Sequence, residues 1–193
     1  AAAKEAAAPY ANPIIFLFVG GFLIALAMQK WRLHERLAGA VVLRMGTNPI
    51  KVLFGFIVVT AFLSMWVSNT ATTLMMLPVA MSILSVYGGD KKEFSGALLL
   101  SVAYASSIGG LGTPVGTAPN AIMLGMMTEL YPQAPRITFL QWMVGAVPVA
   151  VALAFALWAY FAWRIRRAAS GMVIPARESF AERLRVLGTM GRG

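Results

Sequence analysis

The chain has 193 residues, of which 59% are hydrophobic and 12% charged, against roughly 45–50% and about 25% in an ordinary soluble domain. Residues 6–29, 52–89, 94–128 and 137–163 contain no Asp, Glu, Lys, Arg or His and make up 124 of the 193 positions. A bilayer-spanning helix needs about 20 mostly apolar residues, so these runs exclude a water-soluble globule and predict an all-α integral membrane protein. The net charge of +9 does not form a stripe on a soluble fold, as nucleic-acid binding would require. Its cations instead flank the charge-free runs, where membrane proteins keep them. With no cysteine, thiol catalysis, thiolate metal sites and disulfides are excluded. The chain lacks an initiator Met and a signal peptide, opens on AAAKEAAAPYANP and ends in a charged stretch, so a fragment is expected.

Residues 1–47 read as a first transmembrane segment, Ile14–Gln29 after Pro13, followed by an amphipathic interfacial helix at Trp31–Ala38. Most Lys and Arg fall in clusters at Lys30–Arg36, Arg44 with Lys51, Lys91 with Lys92, and from Arg164 onward. The bias of such clusters to the cytoplasm puts the N-terminus and the loop Glu129–Arg136 outside. His34, between Leu33 and Glu35, reads as a snorkelling interfacial side chain rather than a ligand.

Residues 48–89 read as a hairpin: Val52–Gly89 is apolar except at Ser68-Asn-Thr-Ala-Thr-Thr73, and cations stand at both ends, so both ends lie on one side. The arms Val52–Val67 and Leu74–Tyr87 rise only about 24 and 21 Å as helices, short of the roughly 30 Å hydrocarbon core. A re-entrant hairpin with its polar tip inside the membrane fits better than two full spans. Residues 90–130 contain 109–120, Gly-Gly-Leu-Gly-Thr-Pro-Val-Gly-Thr-Ala-Pro-Asn, with four glycines and two prolines. Such a run breaks a helix, predicting a half-helix to near Ile108, an unwound centre, and a second half-helix from near Pro119. Residues 137–167 form a last transmembrane helix with Pro148 as a kink, and 168–193 a cytoplasmic connector.

Two polar interruptions therefore meet at membrane depth. One holds Ser64, Ser68, Asn69, Thr70, Thr72 and Thr73; the other holds Gly112, Thr113, Gly116, Thr117 and Asn120. Broken helices near the bilayer midplane mark transporter binding sites. Unwound carbonyls and hydroxyls can replace the hydration shell of Na⁺. Half-helices starting near Thr70 and Pro119 would present free N–H groups and about half a positive charge each to an anion. Proton relays in membranes use Asp, Glu or His within the spans, and these spans have none, which favours a monovalent metal cation over H⁺. Any one Ser or Thr here could equally bond back to its own helix or tie helices together; two clusters, each at a helix break, point to a site. The glycine run lacks the Gly-Lys-Ser/Thr ending of a P-loop, and no acid, base or metal cluster lies in the spans, so neither an enzyme nor a cofactor is expected.

At Ser64-Met-Trp-Val-Ser-Asn-Thr-Ala-Thr72 and Ser107-Ile-Gly-Gly-Leu-Gly-Thr-Pro-Val-Gly-Thr-Ala-Pro-Asn120 the chain resembles the divalent anion–sodium symporter family, sodium-coupled carriers of di- and tricarboxylates. The resemblance runs from Ala8 through Trp142. It implies an elevator-type transporter of two inverted repeats, a homodimer in the bacterial inner membrane. Ser64, Asn69 and the backbone at Ser68 and Gly116 match positions around a sodium ion, with no other metal implied. Asn69, Thr70 and Thr117 match positions facing the substrate carboxylates. Ala118 departs from the proline that many relatives carry. A single Ser-Asn-Thr is present, so one repeat of a sodium-coupled dicarboxylate symporter is expected, unable to transport alone. The alternatives are a carrier or antiporter of sulfate or another anion on the same fold, and a non-transporting membrane scaffold.

Overall fold

The computed structural model describes residues 13–31, 33, 36–37, 44–89, 92–168 and 172–173. Half of the amphipathic stretch Trp31–Ala38, His34 included, and the connector beyond Pro175 lie outside the described residues. Among the described residues the main helices follow in order: α1 (Pro13–Lys30), α2 (Pro49–Ser64), α3 (Asn69–Val86), α4 (Lys92–Gly110), α5 (Ala118–Leu130) and α6 (Phe139–Ala168). The all-helical expectation holds, with one small addition. Gly88 pairs with Val173 and Gly89 with Met172 in a two-residue antiparallel ladder, which ties the chain leaving α6 to the turn between α3 and α4.

Local chemistry sets the boundaries. Asn48 Oδ1 accepts from the N–H groups of Ile50 at 3.0 Å and Lys51 at 3.3 Å, and Pro49 opens α2 without a wasted donor. Ser68 Oγ accepts from Ala71 N at 3.4 Å, so α3 starts at Asn69. The second arm of the hairpin is therefore 18 residues, rising about 27 Å, more than a turn longer than its apolar stretch indicates. Asn69–Thr73 are helix, not loop: Thr73 Oγ1 bonds the Asn69 carbonyl at 2.9 Å, and the tip narrows to Met65–Ser68. At the other break α4 runs two residues past Ile108, and only Leu111–Thr117 are unwound. α6 stays helical through Pro148.

α4 is the central element, with α2, α3 and α6 packed around it. Val52, Leu53, Phe56 and Ile57 of α2 are buried with Met76 and Ile83 of α3, Leu98 and Val102 of α4, and Phe161 and Ile165 of α6. Tyr87 closes one end of this core: its ring sits 4.9 Å from that of Phe94, and its hydroxyl donates to the Thr47 carbonyl at 2.9 Å. Arg164 and Glu93 meet at 2.6 Å across α6 and α4, but both are too exposed for the pair to matter much. Outside the core the surface is apolar. α3, and α6 over Phe139–Arg167 with a mean hydropathy of 2.0, are long and apolar enough to cross a membrane. α6 exposes Val144, Val149, Val151, Leu153, Phe155 and Trp163, and a surface of that kind belongs against lipid or further protein.

Close approach of α2 to α4 depends on Gly109, where a Cβ would collide with the Ala61 backbone. Nothing stands within 4 Å of a Cβ at Gly96 of the same helix. Gly109→Ala is therefore expected to destabilise by about 2–3 kcal/mol through overpacking, whereas Gly96→Ala is expected to stabilise by about 0.5–1 kcal/mol through helix propensity. Thermal unfolding of the two variants in detergent checks both signs.

Candidate functional site

The ends of α2 and α4, the start of α3 and the unwound stretch converge on a few atoms. Ser64, the last residue of α2, is fully buried. Its Oγ lies 2.6 Å from the Ser106 carbonyl and 2.9 Å from Asn69 Oδ1. A hydroxyl has one proton, so it serves one of these acceptors and faces the other oxygen to oxygen. The Ser106 carbonyl and Asn69 Oδ1 therefore compete for the one Ser64 proton, and three oxygens converge at this point. A convergence of neutral oxygens of this kind suits a bare monovalent cation.

Ser106 does more than compete for that proton. Its own hydroxyl lies 2.7 Å from Thr73 Oγ1 and 2.8 Å from the Ala103 carbonyl. α4 thereby meets both arms of the hairpin, with the Ser106 carbonyl against Ser64 and the Ser106 hydroxyl against Thr73.

The unwound stretch is pinned from three sides. Thr113 Oγ1 donates to the Met65 carbonyl in the hairpin turn and accepts from Gly116 N at 3.0 Å. Asn120, buried in the first turn of α5, gives both amide hydrogens to the break: Nδ2 lies 2.8 Å from the Gly110 carbonyl and 2.9 Å from the Thr113 carbonyl. Gly116 fits where no side chain could, because a Cβ there would lie 2.6 Å from the Gly110 carbonyl oxygen and 2.9 Å from the Ser64 carbonyl oxygen. Gly110 is constrained in the same way, since its Cβ would strike the Asn69 side-chain amide.

Of the residues singled out as sodium-binding, Ser64, Asn69 and Gly116 thus share one locus. Ser68 is next to it but exposed; its hydroxyl caps α3 and its carbonyl accepts from Thr72 N at 2.9 Å, leaving one lone pair. Thr70 is exposed and Thr117 half-buried. Thr117 is the N-cap of α5 yet makes no side-chain capping bond, so its hydroxyl is uncommitted. Thr70 and Thr117 stand at the starts of α3 and α5. Ser106 and Gly110 were not among the expected site residues. Ser106 sits one position before the glycine-rich motif, and its only sequence signal is a hydroxyl in the last turn before a predicted break.

The electrostatics follow the helix directions. α2 and α4 deliver C-terminal ends, at Ser64 and Gly110, and α3 and α5 deliver N-terminal ends, at Asn69 and Ala118. Carbonyl ends carry about half a negative charge and amide ends about half a positive one. A cation is favoured beside the first pair and an anion beside the second. Every side chain in the cluster is a hydroxyl, an amide or a glycine, so its charge does not change with pH in the physiological range.

Residues 1–187 match the citrate transporter family, CitMHS. The chain belongs to that family. It is 41% identical over 166 residues to a sodium-dependent dicarboxylate transporter, SdcS, of Staphylococcus saprophyticus, covering 81% of this chain and 32% of the relative. It is 37% identical over 166 residues to the SdcS of Staphylococcus aureus, with the same coverage of both chains. The chain thus spans about a third of the length of the curated relatives it matches. These are names of transporters and not of enzymes, and the resemblance to sodium-coupled carriers read from the two motifs stands. As a member of a transporter family the chain is a membrane protein, and both relatives are bacterial.

Asn120→Ala removes the donors that hold two carbonyls of the break. The expected cost is about 2–3 kcal/mol, because two buried acceptors lose their partners. Hydrogen exchange at the Gly112 and Gly116 amides should rise in step, and wild-type exchange with wild-type thermal stability would contradict the pinning described.

Proposed function

We propose that this chain supplies the cation site and part of the anion site of a sodium-coupled dicarboxylate symporter in the bacterial inner membrane. The observation that carries the reading is the convergence of three neutral oxygens, with Ser64 Oγ 2.9 Å from Asn69 Oδ1 and 2.6 Å from the Ser106 carbonyl. Na⁺ would bind there between neutral oxygens, helped by backbone carbonyls at Ser68 and Gly116. It would hold the hairpin turn against the unwound stretch. That order would fix Asn69, Thr70 and Thr117 at the amide ends of α3 and α5, where substrate carboxylates would bind. Sodium therefore binds before the anion in this scheme, and coupling follows because the anion site is incomplete without the ion.

The hairpin α2–α3 is proposed to be re-entrant. The 16-residue α2 is about 24 Å long, so its polar end would stop within the membrane. The resemblance supports the rest of the architecture: a second inverted repeat closing the substrate cage, an elevator movement of the site through the membrane, and a homodimer. The relatives' printed names favour a dicarboxylate. The family description favours citrate as a second reading.

Asn69→Ala in the full-length carrier is expected to abolish sodium-dependent succinate uptake in proteoliposomes while leaving expression intact. Wild-type uptake in that variant would overturn the site assignment. A competition series of succinate, citrate and sulfate against labelled succinate separates the anion classes, with succinate expected to compete most strongly.

A further inference from the structure

The start of α6 touches both helix breaks, although it belongs to neither. Trp142 Nε1–H donates to the Leu111 carbonyl at 3.0 Å, and Leu111 is the first residue of the unwound stretch. The carbonyls at a helix end lack intrahelical partners, and this one has been given an indole. Three residues earlier on the same face, Phe139 stacks on Trp66 of the hairpin turn, with ring centroids 6.4 Å apart and planes at 24°. Trp66 follows Met65, whose carbonyl takes the Thr113 hydroxyl. The first turn of α6 is itself fixed by a reciprocal cap. Thr138 N donates to Gln141 Oε1 at 2.9 Å, and Gln141 N donates to Thr138 Oγ1 at 3.3 Å.

We infer that Trp142 and Phe139 are positioning residues that clamp the unwound stretch and the hairpin turn into the cation-binding geometry, and so set the affinity for the coupling ion. The inference rests on the sodium-site reading above. Neither side chain is placed to touch the ion or the substrate. What they hold is the relative position of Leu111 and Trp66, which lie next to Gly110 and near Ser64 in the chain. If the two breaks drift apart, Gly116 leaves the Ser64 and Gly110 carbonyls, and the ion must reorder them at the expense of its own binding. Both aromatics also suit a membrane–water interface, and anchoring alone would leave the ion's affinity untouched.

The test uses the full-length carrier in proteoliposomes. Trp142→Phe keeps the ring and removes the N–H. It is expected to raise the sodium concentration for half-maximal uptake by about 3- to 10-fold, the range for one neutral hydrogen bond, with the maximal rate at saturating sodium within about twofold of wild type. Phe139→Leu is expected to move the sodium dependence in the same direction through the lost ring contact, and it stands in should Trp142→Phe not accumulate. Unchanged half-maximal sodium in both variants, or a loss of maximal rate alone, overturns the inference. Hydrogen exchange across residues 111–117 separates this from a failure of the sodium reading. Where wild-type uptake ignores sodium but Trp142→Phe still speeds exchange there, the clamp stands and the ion assignment falls. Unaltered exchange removes the clamp itself.

Discussion

Three backbones meet where a side chain would keep them apart: the end of α2 at Ser64, the end of α4 at Gly110, and the unwound stretch at Gly116. A Cβ on Gly116 would lie 2.6 Å from the Gly110 carbonyl oxygen and 2.9 Å from that of Ser64, so only glycine permits the junction. The rest of the site hangs from it. Asn120 can reach the Gly110 and Thr113 carbonyls because the stretch folds back on α4. Thr113 can reach the hairpin turn for the same reason. An unwound stretch at membrane depth has to be buried in protein or line a wet cavity, and here Asn120 and Thr113 supply partners for several of its freed polar groups. Gly109 serves the same end one residue earlier, by letting α2 lie directly against α4.

The site is built without charge, and that constrains how it can work. An ionised side chain in the membrane is costly and has to be paired. Helix ends offer partial charges with no such burden: carbonyl ends from α2 and α4, amide ends from α3 and α5. In the proposed scheme the cation is held at the first pair and the carboxylates at the second, so each ligand supplies the countercharge the other lacks. Linkage is then a consequence of electrostatics as well as of ordering.

Much of this was legible in the sequence because a break in a membrane helix needs residue types that stand out against apolar runs. Ser-Asn-Thr at 68–70 and the glycine–proline run at 109–120 mark themselves. The boundaries were less legible. Asn69, Thr70, Thr72 and Thr73 read as a polar tip, yet the Ser68 cap and the Thr73 bond to the Asn69 carbonyl make them the first turns of α3. Ser106 was hidden because a serine late in a membrane helix most often bonds to its own backbone, as its hydroxyl also does here with Ala103. Trp142 and Phe139 were hidden for another reason. Their role depends on which helix end lies beside them, and spacing along the chain does not reveal that.

A density map of the full-length carrier in sodium, compared with one in choline, bears most directly on whether the two breaks form one cation cradle. The arrangement described requires a density feature in sodium alone, in contact with Ser64 Oγ and Asn69 Oδ1 and with Gly116 still seated against the Ser64 and Gly110 carbonyls. A sodium-dependent feature elsewhere, with Ser64 and Asn69 bonded only to each other, would contradict it.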